Sequence, residues 1–280
     1  MVGHKAHVIL YGNEKGGSGK TTAAFHSTIG LLRLGFTVAT IDLDVNQRSL
    51  TRYLENRRKY CEKTGIWLPM PTHVCMENSV FDSMEEARQD MTKQLEEQIA
   101  AFRNGYDFVV IDTPGADVHI SRIGHTFADS LITPINDSFV DLDLLVEIDD
   151  GPVDQCKPSH YARIVMTQRQ KRFERDRAGM DWIILRNRLG NLRSKNTDRI
   201  LESLKTLSGK MGFRVAPGIS ERAIYRELFP TGRTVLDMLD SKLPGERISM
   251  SHIAARQEIR EILHTLWLPR ITKRLQQEDV

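Results

Sequence analysis

Two lysines share one glycine-rich stretch, Asn13-Glu14-Lys15-Gly16-Gly17-Ser18-Gly19-Lys20-Thr21-Thr22. Glycines leave backbone N–H groups free to converge on an anion, and a helix N-terminus adds partial positive charge. On that chemistry Gly16, Gly17, Ser18, Gly19, Thr21 and Thr22 cradle phosphates. Lys20 reaches the β- and γ-phosphates of a nucleotide, and the Thr21 hydroxyl binds Mg²⁺. The common phosphate-loop pattern, G-x-x-x-x-G-K-[ST], asks for glycine where this chain has Glu14. Lys15, at the mouth of the loop, cannot easily fold back onto phosphates that Lys20 already holds. It could reach a nucleotide held by a second subunit. The plainer explanation is a lysine-rich turn with no ligand.

Carboxylates complete the chemistry. Asp112 ends an apolar run, as a magnesium-positioning acid should. Asp42 and Asp44 alternate at another strand end and point to different sides of the chain. Asp44 is assigned to the attacking water and Asp42 to the metal's water shell, unless Asp42 merely caps the next helix. Gly115, in Thr113-Pro114-Gly115, suits a mobile segment whose N–H senses a γ-phosphate. Asn187 either offers its amide to adenine or is a turn asparagine. Pro217, ending the last predicted strand, is grouped with it as cofactor-binding. Phosphoryl transfer to water needs charge neutralisation and an oriented nucleophile. Lys20 and Mg²⁺ supply part of the neutralisation, and Lys15 acting across a two-fold dimer supplies more.

Alternating elements must position these residues. The apolar, β-branched run His7–Tyr11 reads as a buried strand, and Ala23–Leu32 has helical spacing. Further strands are predicted over 37–41, 106–112, 130–134, 181–187 and 213–217. Helices are predicted over 49–63, 84–102, 163–177, 196–209, 221–228 and 251–268. The stretch 67–71 is a proline-punctuated connection. The pattern predicts one α/β domain over 1–280, a mostly parallel twisted sheet with helices on both faces. The helix 251–268 docks on its core, and 269–280 is a short tail. Ligands of such sheets bind at the carboxyl ends of strands, so the loop at 13–21, Asp42, Asp44, Asp112 and the polar end at 186–188 can share one site.

With 280 residues, 40% of them hydrophobic and 27% charged, the composition is that of an ordinary soluble protein. A net charge of +2 means that any nucleic-acid surface must be local. Cys61, Cys75 and Cys156 are widely spaced with no C-x-x-C, which disfavours a disulfide framework, a zinc site or a bridging cluster and fits a reducing cytoplasm. Met1–Ala6 is short and polar, unlike a signal peptide, and no apolar run approaches bilayer length.

The blocks Lys15–Thr22, Ile41-Asp42-Leu43-Asp44 and Val110–Gly115 resemble the deviant phosphate loop, switch I and switch II of the ParA/MinD ATPases. The extra lysine is that family's signature and implies ATP-dependent sandwich dimers with slow hydrolysis. The family's adenine-contacting asparagine falls on Asn187. Longer blocks, among them Thr133–Asp141, Leu185–Leu189 and Ile224–Pro230, resemble the branch that positions the division plane in α-proteobacteria. After Asp44 the chain departs from the ParA-type pattern, with Val45-Asn46-Gln47 in place of Asp-Pro-Gln. The resemblance implies a homodimer with ATP that binds DNA without sequence preference and inhibits FtsZ assembly. It also implies recruitment by the centromere-binding protein ParB, and a cytoplasmic, nucleoid-associated protein enriched near the poles.

Arg193, Lys195 and Arg199, with Arg222, are the candidate DNA patch, since clustered cations neutralise phosphates. The runs Arg57-Arg58-Lys59 and Arg169-Gln170-Lys171-Arg172 compete with it, and each could equally be a solvated helix face. A membrane-bound MinD-like role needs an amphipathic tail, yet only Ile271 and Leu275 are apolar between Pro269 and Val280. Two more functions stay compatible with the motifs: a ParA-type chromosome-partitioning ATPase, and a metabolic phosphotransferase or ligase on the same fold.

Overall fold

The computed structural model describes residues 5–147, 155–190, 195–238 and 249–278. The first half of the chain runs β1 (His7–Tyr11), α1 (Lys20–Arg33), β2 (Val38–Asp42), α2 (Ser49–Thr64), β3 (Thr72–Cys75), α3 (Met84–Arg103), β4 (Phe108–Asp112) and α4 (His119–Phe127). It continues with β5 (Ser130–Asn136), α5 (Phe139–Leu142), β6 (Val146–Glu147), β7 (Lys157–Pro158), α6 (His160–Asp176) and β8 (Asp181–Asn187). The last elements are α7 (Lys195–Met211), β9 (Phe213–Ala216), α8 (Ile224–Glu227), α9 (Met250–Thr265) and α10 (Pro269–Glu278).

Seven strands form one parallel sheet in the order β3-β2-β4-β1-β5-β8-β9, while β6 and β7 pair antiparallel apart from it. The expected α/β architecture is the one that forms. β2 and β4 are buried along their whole length, which explains their near-continuous apolar runs. Within β1, period-two alternation divides the strand between two cores. Val8 and Leu10 join Leu95, Phe102, Tyr161 and Leu204 on one face. Ile9 and Tyr11 join Leu31, Ile259, Leu263 and Ile271 on the other. The order reverses at β1: the chain first fills one side of it and later the other, opening a crevice at the strands' carboxyl ends. There the register sets Tyr11 opposite Asp112 and Asp112 opposite Asp42.

Several elements depart from the sequence-based expectation. β3 is a short edge strand beside β2 in a stretch that carries no alternation signal. α4 lies where no helix is predicted, because Ser121, His125 and Thr126 supply buried polar groups where apolar residues would have signalled one. The expected short tail at 269–280 is helical over Pro269–Glu278, with Ile271 and Leu275 buried. Its Arg270 and Arg274 lie over the Phe108 and Phe36 rings at 4.2 and 3.8 Å.

Each competing basic run is split between buried and exposed cations: Arg58, Lys59 and Lys171 are exposed, whereas Arg57 and Arg172 turn inward. Arg57 is fully buried, and its guanidinium grips both oxygens of buried Asp237 at 2.7 and 2.9 Å. Arg33 adds a third contact to Asp237 at 2.7 Å. The pair of arginines holds the Asp237 carboxyl far below the usual carboxylate range despite its burial. Arg172 is buried against Asp129, and Arg169 donates to the carbonyls of Met211 and Gly212. Arginine hydrogen-bonding inward explains why Arg57 and Arg172 are not surface cations.

Candidate nucleotide site

The loop between β1 and α1 has the shape the sequence suggests. Gly17 and Gly19 take positive φ values of 71° and 92°, and Gly19 caps α1 with no side-chain hydrogen bond to its free N–H groups. α1 also has no acid in its first turn, so its N-terminus keeps its positive potential for an anion. A Cβ on Gly19 would lie 2.3 Å from Asn187 Nδ2, so the residue must be glycine.

Side chains from behind hold the loop in place. Asn13 donates to the Pro134 carbonyl at 2.6 Å and accepts from the Lys15 N–H at 2.7 Å. A buried chain runs from Trp182 Nε1 to Thr133 Oγ1, on to Tyr161, and from the Tyr161 hydroxyl to the Gly12 carbonyl at 2.8 Å. Because Tyr161 spends its proton on Gly12, Thr133 is the donor between the two hydroxyls. Asn187 donates to the Ser18 carbonyl at 2.8 Å, bracing the loop from the end of β8.

In front of the loop lies a cleft of about 800 Å³ lined by Gly16, Gly17, Lys20, Thr21, Asp44 and Gly115, with α3 residues such as Met84 and Arg88 on its far wall. Lys20 is buried, and its ammonium donates to the Lys15 carbonyl at 3.0 Å. The Thr21 hydroxyl donates to Asp112 Oδ2 at 2.6 Å, while Asp112 Oδ1 is buried with no partner. Burial and the neighbouring Asp42 push the Asp112 carboxyl up to about 8. Burial likewise lowers Lys20, against the pull of Asp112 and Asp44. An orphan carboxylate oxygen beside a hydroxyl, at the mouth of a phosphate cradle, is a donor set that fits Mg²⁺ completed by phosphates and water.

Gly115 presses on the loop: a Cβ there would meet Gly16 Cα at 2.9 Å and Gly16 N at 3.0 Å. Switch segment and phosphate loop thus touch backbone to backbone. The segment is also tied sideways. Arg122 grips both oxygens of Asp117, and His160 reaches the same carboxylate at 2.9 Å, with Glu14 close by. The Arg122 hydrogen bonds hold the Asp117 carboxyl down at about 2.

Other candidates stand elsewhere. Asp42 is buried and gives Oδ2 to the Thr51 N–H and hydroxyl and Oδ1 to the Asp44 N–H, so it satisfies the first turn of α2 and fixes the Asp44 backbone. Asp42 therefore caps the following helix, the alternative that the sequence left open for it. Asp44 itself is half-buried on the cleft, with Oδ1 on the Gln47 N–H at 2.9 Å. Lys15 turns away from its own cradle, donating to the Val140 carbonyl at 2.9 Å and pairing with Asp141 at 3.3 Å. Pro217 is exposed just beyond β9, and Thr22 is half-buried in the first turn of α1. Lys195 and Arg199 are exposed on α7, while Arg193 lies outside the described residues. Arg222 does not join them as a free cation: Glu258 takes it at 2.7 Å and the Ser251 hydroxyl at 2.9 Å. Sequence reasoning missed Tyr161 and Asp141, which reach the loop from α6 and α5. Arg188, in the polar end at 186–188, takes a φ of 54° directly after β8, and its guanidinium lies near Gly17.

A strand–loop–helix cradle, a hydroxyl–aspartate pair and a glycine-packed switch segment on this sheet order define a P-loop ATPase of the ParA/MinD type. The fold agrees with solved structures. The ATP complex of a McdA variant from Cyanothece superposes with a TM-score of 0.63 at 17% identity, covering 95% of this chain and 98% of that one. The septum site-determining protein MinD with Mg-ADP from Pyrococcus horikoshii gives a TM-score of 0.59 at 16% identity, covering 92% and 96%. The profile of the ATPase MipZ family matches residues 7–270, and the chain belongs to that family. It is also 30% identical over 161 residues to a probable plasmid-partitioning protein ParA of Thermus thermophilus. That match spans 52% of this chain and 50% of the relative, so the chain covers about half the length of the curated protein it matches.

Proposed function

We propose that this protein is an ATP-driven dimerisation switch of the MipZ kind. The observation that carries this reading is the division of labour between the two lysines. Lys20 lines its own cradle, whereas the Lys15 ammonium lies outside it on Val140 and Asp141. A cation at the loop mouth but off its own phosphates is placed to neutralise charge on a partner's nucleotide, as an arginine finger does. Bound Mg²⁺ would supply Lewis acidity at the phosphates; Thr21 and Asp112 would hold it, and Asp42 would support the Asp44 backbone. Asp44, on the cleft, orients the attacking water. Asn187 and Pro217 take the base side, with Asn187 also holding the loop. Hydrolysis is slow and requires the dimer.

In this reading dimerisation doubles the cationic surface on α7, formed by Lys195 and Arg199 with Arg193, and so couples ATP to DNA affinity. ParB and FtsZ are the protein partners, and the protein works in the cytoplasm on the nucleoid, concentrated toward the poles. Among the described residues no helix is long and apolar enough to cross a membrane, and the α10 apolar residues are already buried, which disfavours a MinD-like anchor.

Size-exclusion chromatography of Asp44→Ala with and without ATP tests the switch. A dimer trapped by ATP is expected; a monomer under both conditions overturns the proposal. Neutralising Arg193, Lys195 and Arg199 together should abolish DNA retention while ATP-dependent dimerisation survives, and unchanged DNA binding would move the patch elsewhere.

A further inference from the structure

At the amino ends of the strands, opposite the phosphate loop, lies a second cleft of about 750 Å³. Four separate segments bring cations to it: Lys5 before β1, Arg103 ending α3, Arg172 near the end of α6, and Arg270 in the first turn of α10. The acids in its wall are already committed. Asp129 accepts from the Val8 N–H at 2.7 Å and from Arg172, and Asp176 is gripped by Arg175 at 2.7 and 2.8 Å. His7 also lines the cleft, pushed down to about 4 by burial, and is therefore neutral near pH 7. Arg270 is itself paired with Asp107 at 3.5 Å, and Arg103 and Arg172 are the cations whose donors matter here.

The guanidinium groups have donors to spare. Arg172 is 2% exposed; its Nε donates to the Gly179 carbonyl at 3.2 Å and its Nη2 to Asp129, but its Nη1 has no partner. Arg103 donates from Nη2 to the Phe127 carbonyl at 3.1 Å, and its buried Nε has no partner. Buried guanidinium N–H groups without acceptors are costly, and arginine keeps its charge at any ordinary pH. The wall is short of an acceptor, and an oxyanion supplies one through charge-assisted hydrogen bonds. Ala6, Ala178, Leu268 and Pro269 add an apolar surface, so the cleft suits an anion with a carbon skeleton rather than a bare ion.

We infer that this cleft binds a small organic oxyanion, phosphate- or carboxylate-bearing, at a site separate from the nucleotide. Its walls include the ends of α3 and α6 and the α9–α10 junction, so occupancy would also fasten α10 to the sheet.

Calorimetric titration of the full chain tests this, with the phosphate loop kept saturated by MgADP. Glycerol 3-phosphate serves as the phosphate probe and tricarballylate as the carboxylate probe. One molecule of at least one probe should bind per chain, and the probe that binds identifies the anion class. Arg103→Gln and Arg172→Gln should each weaken it about tenfold, and Lys5→Gln less. Should Arg172→Gln fail to fold, since it leaves Asp129 without its arginine, Arg103→Gln and Lys5→Gln decide, with thermal melts to show that they are folded. Absence of binding by both probes to the wild-type chain, or binding unchanged in folded Arg103→Gln, would overturn the inference.

Discussion

At Gly115 the backbone of the switch segment lies against the backbone of the phosphate loop. A Cβ there would sit 2.9 Å from Gly16 Cα, an atom that cannot swing aside. Gly115→Ala is therefore expected to lower ATP turnover by roughly five- to a hundredfold, about 1–3 kcal/mol of misplacement, as steady-state phosphate release would measure. Circular dichroism should meanwhile show the fold intact. Asn187 carries a second prediction. Its 2.8 Å bond to the Ser18 carbonyl is one of the braces behind the cradle. Asn187→Ala should weaken ATP binding by about 1 kcal/mol or somewhat more, roughly a five- to tenfold rise in Kd by fluorescent-nucleotide titration. An unchanged Kd would mean that the loop holds its shape without this amide. Glycine and lysine spacing made the cradle legible in sequence. Its braces were less legible: Tyr161 carries no signal until the fold brings α6 beside the loop, and Asn187, singled out for the base, gave no hint of its bond to the Ser18 carbonyl.

Among the elements, α10 and the buried arginine pair test how the sheet is covered. Ile271 is fully buried beneath α10, and its replacement by alanine should cost about 2–5 kcal/mol in a urea melt. A surface tail would give a value near zero. Asp237 joins α1 to α2 by accepting from Arg33 and Arg57, both of which reach it at 2.7 Å. Asp237→Ala leaves Arg57 buried and unpaired and should destabilise the chain by roughly 3–5 kcal/mol. These elements were also the hardest to read. Arg57 stands in a run of three cations that looks like surface, and Asp237 is far away in the chain. α4 hid for a related reason: its buried face includes Ser121 and His125, the latter bonding through Nδ1 to the Ser121 carbonyl at 2.6 Å.

The whole molecule has a built-in sensitivity to acid. His7, His26 and His73 are each held down at about 4 by burial, against about 6.5 when exposed. Below pH 6.5 the unfolded chain therefore binds protons that the native state refuses. The stability these histidines contribute is complete above that value and is lost as pH falls toward 4. Urea melts near pH 7.5 and near pH 5 should differ by on the order of 1–2 kcal/mol for His26 alone, since it is fully buried. Replacing His26 with glutamine should remove that share of the pH dependence, and an identical slope in the variant would assign it to other groups. The paired Asp117 works in the same direction lower down: with its carboxyl at about 2, its stabilisation is present above pH 4 and is lost as pH falls toward 2.

By itself the amino-acid sequence determined the local features of this protein. Strand runs, the glycine loop, the cap-free helix that follows it and the acids at strand ends are set by short-range sterics and side-chain period, so they can be read within a few residues. Parallel topology also followed, because alternating strands and helices leave few other ways to bury both faces of a sheet. The tertiary structure decided what each polar residue is for. It turned Asp42 onto α2, Lys15 onto Asp141 and Arg222 onto Glu258, and it buried Arg57 and Arg172 that looked like surface. The reason is physical: a charged or amide side chain is committed by whichever partner the fold brings within about 3 Å, and those partners lie from 9 to 180 residues away along the chain.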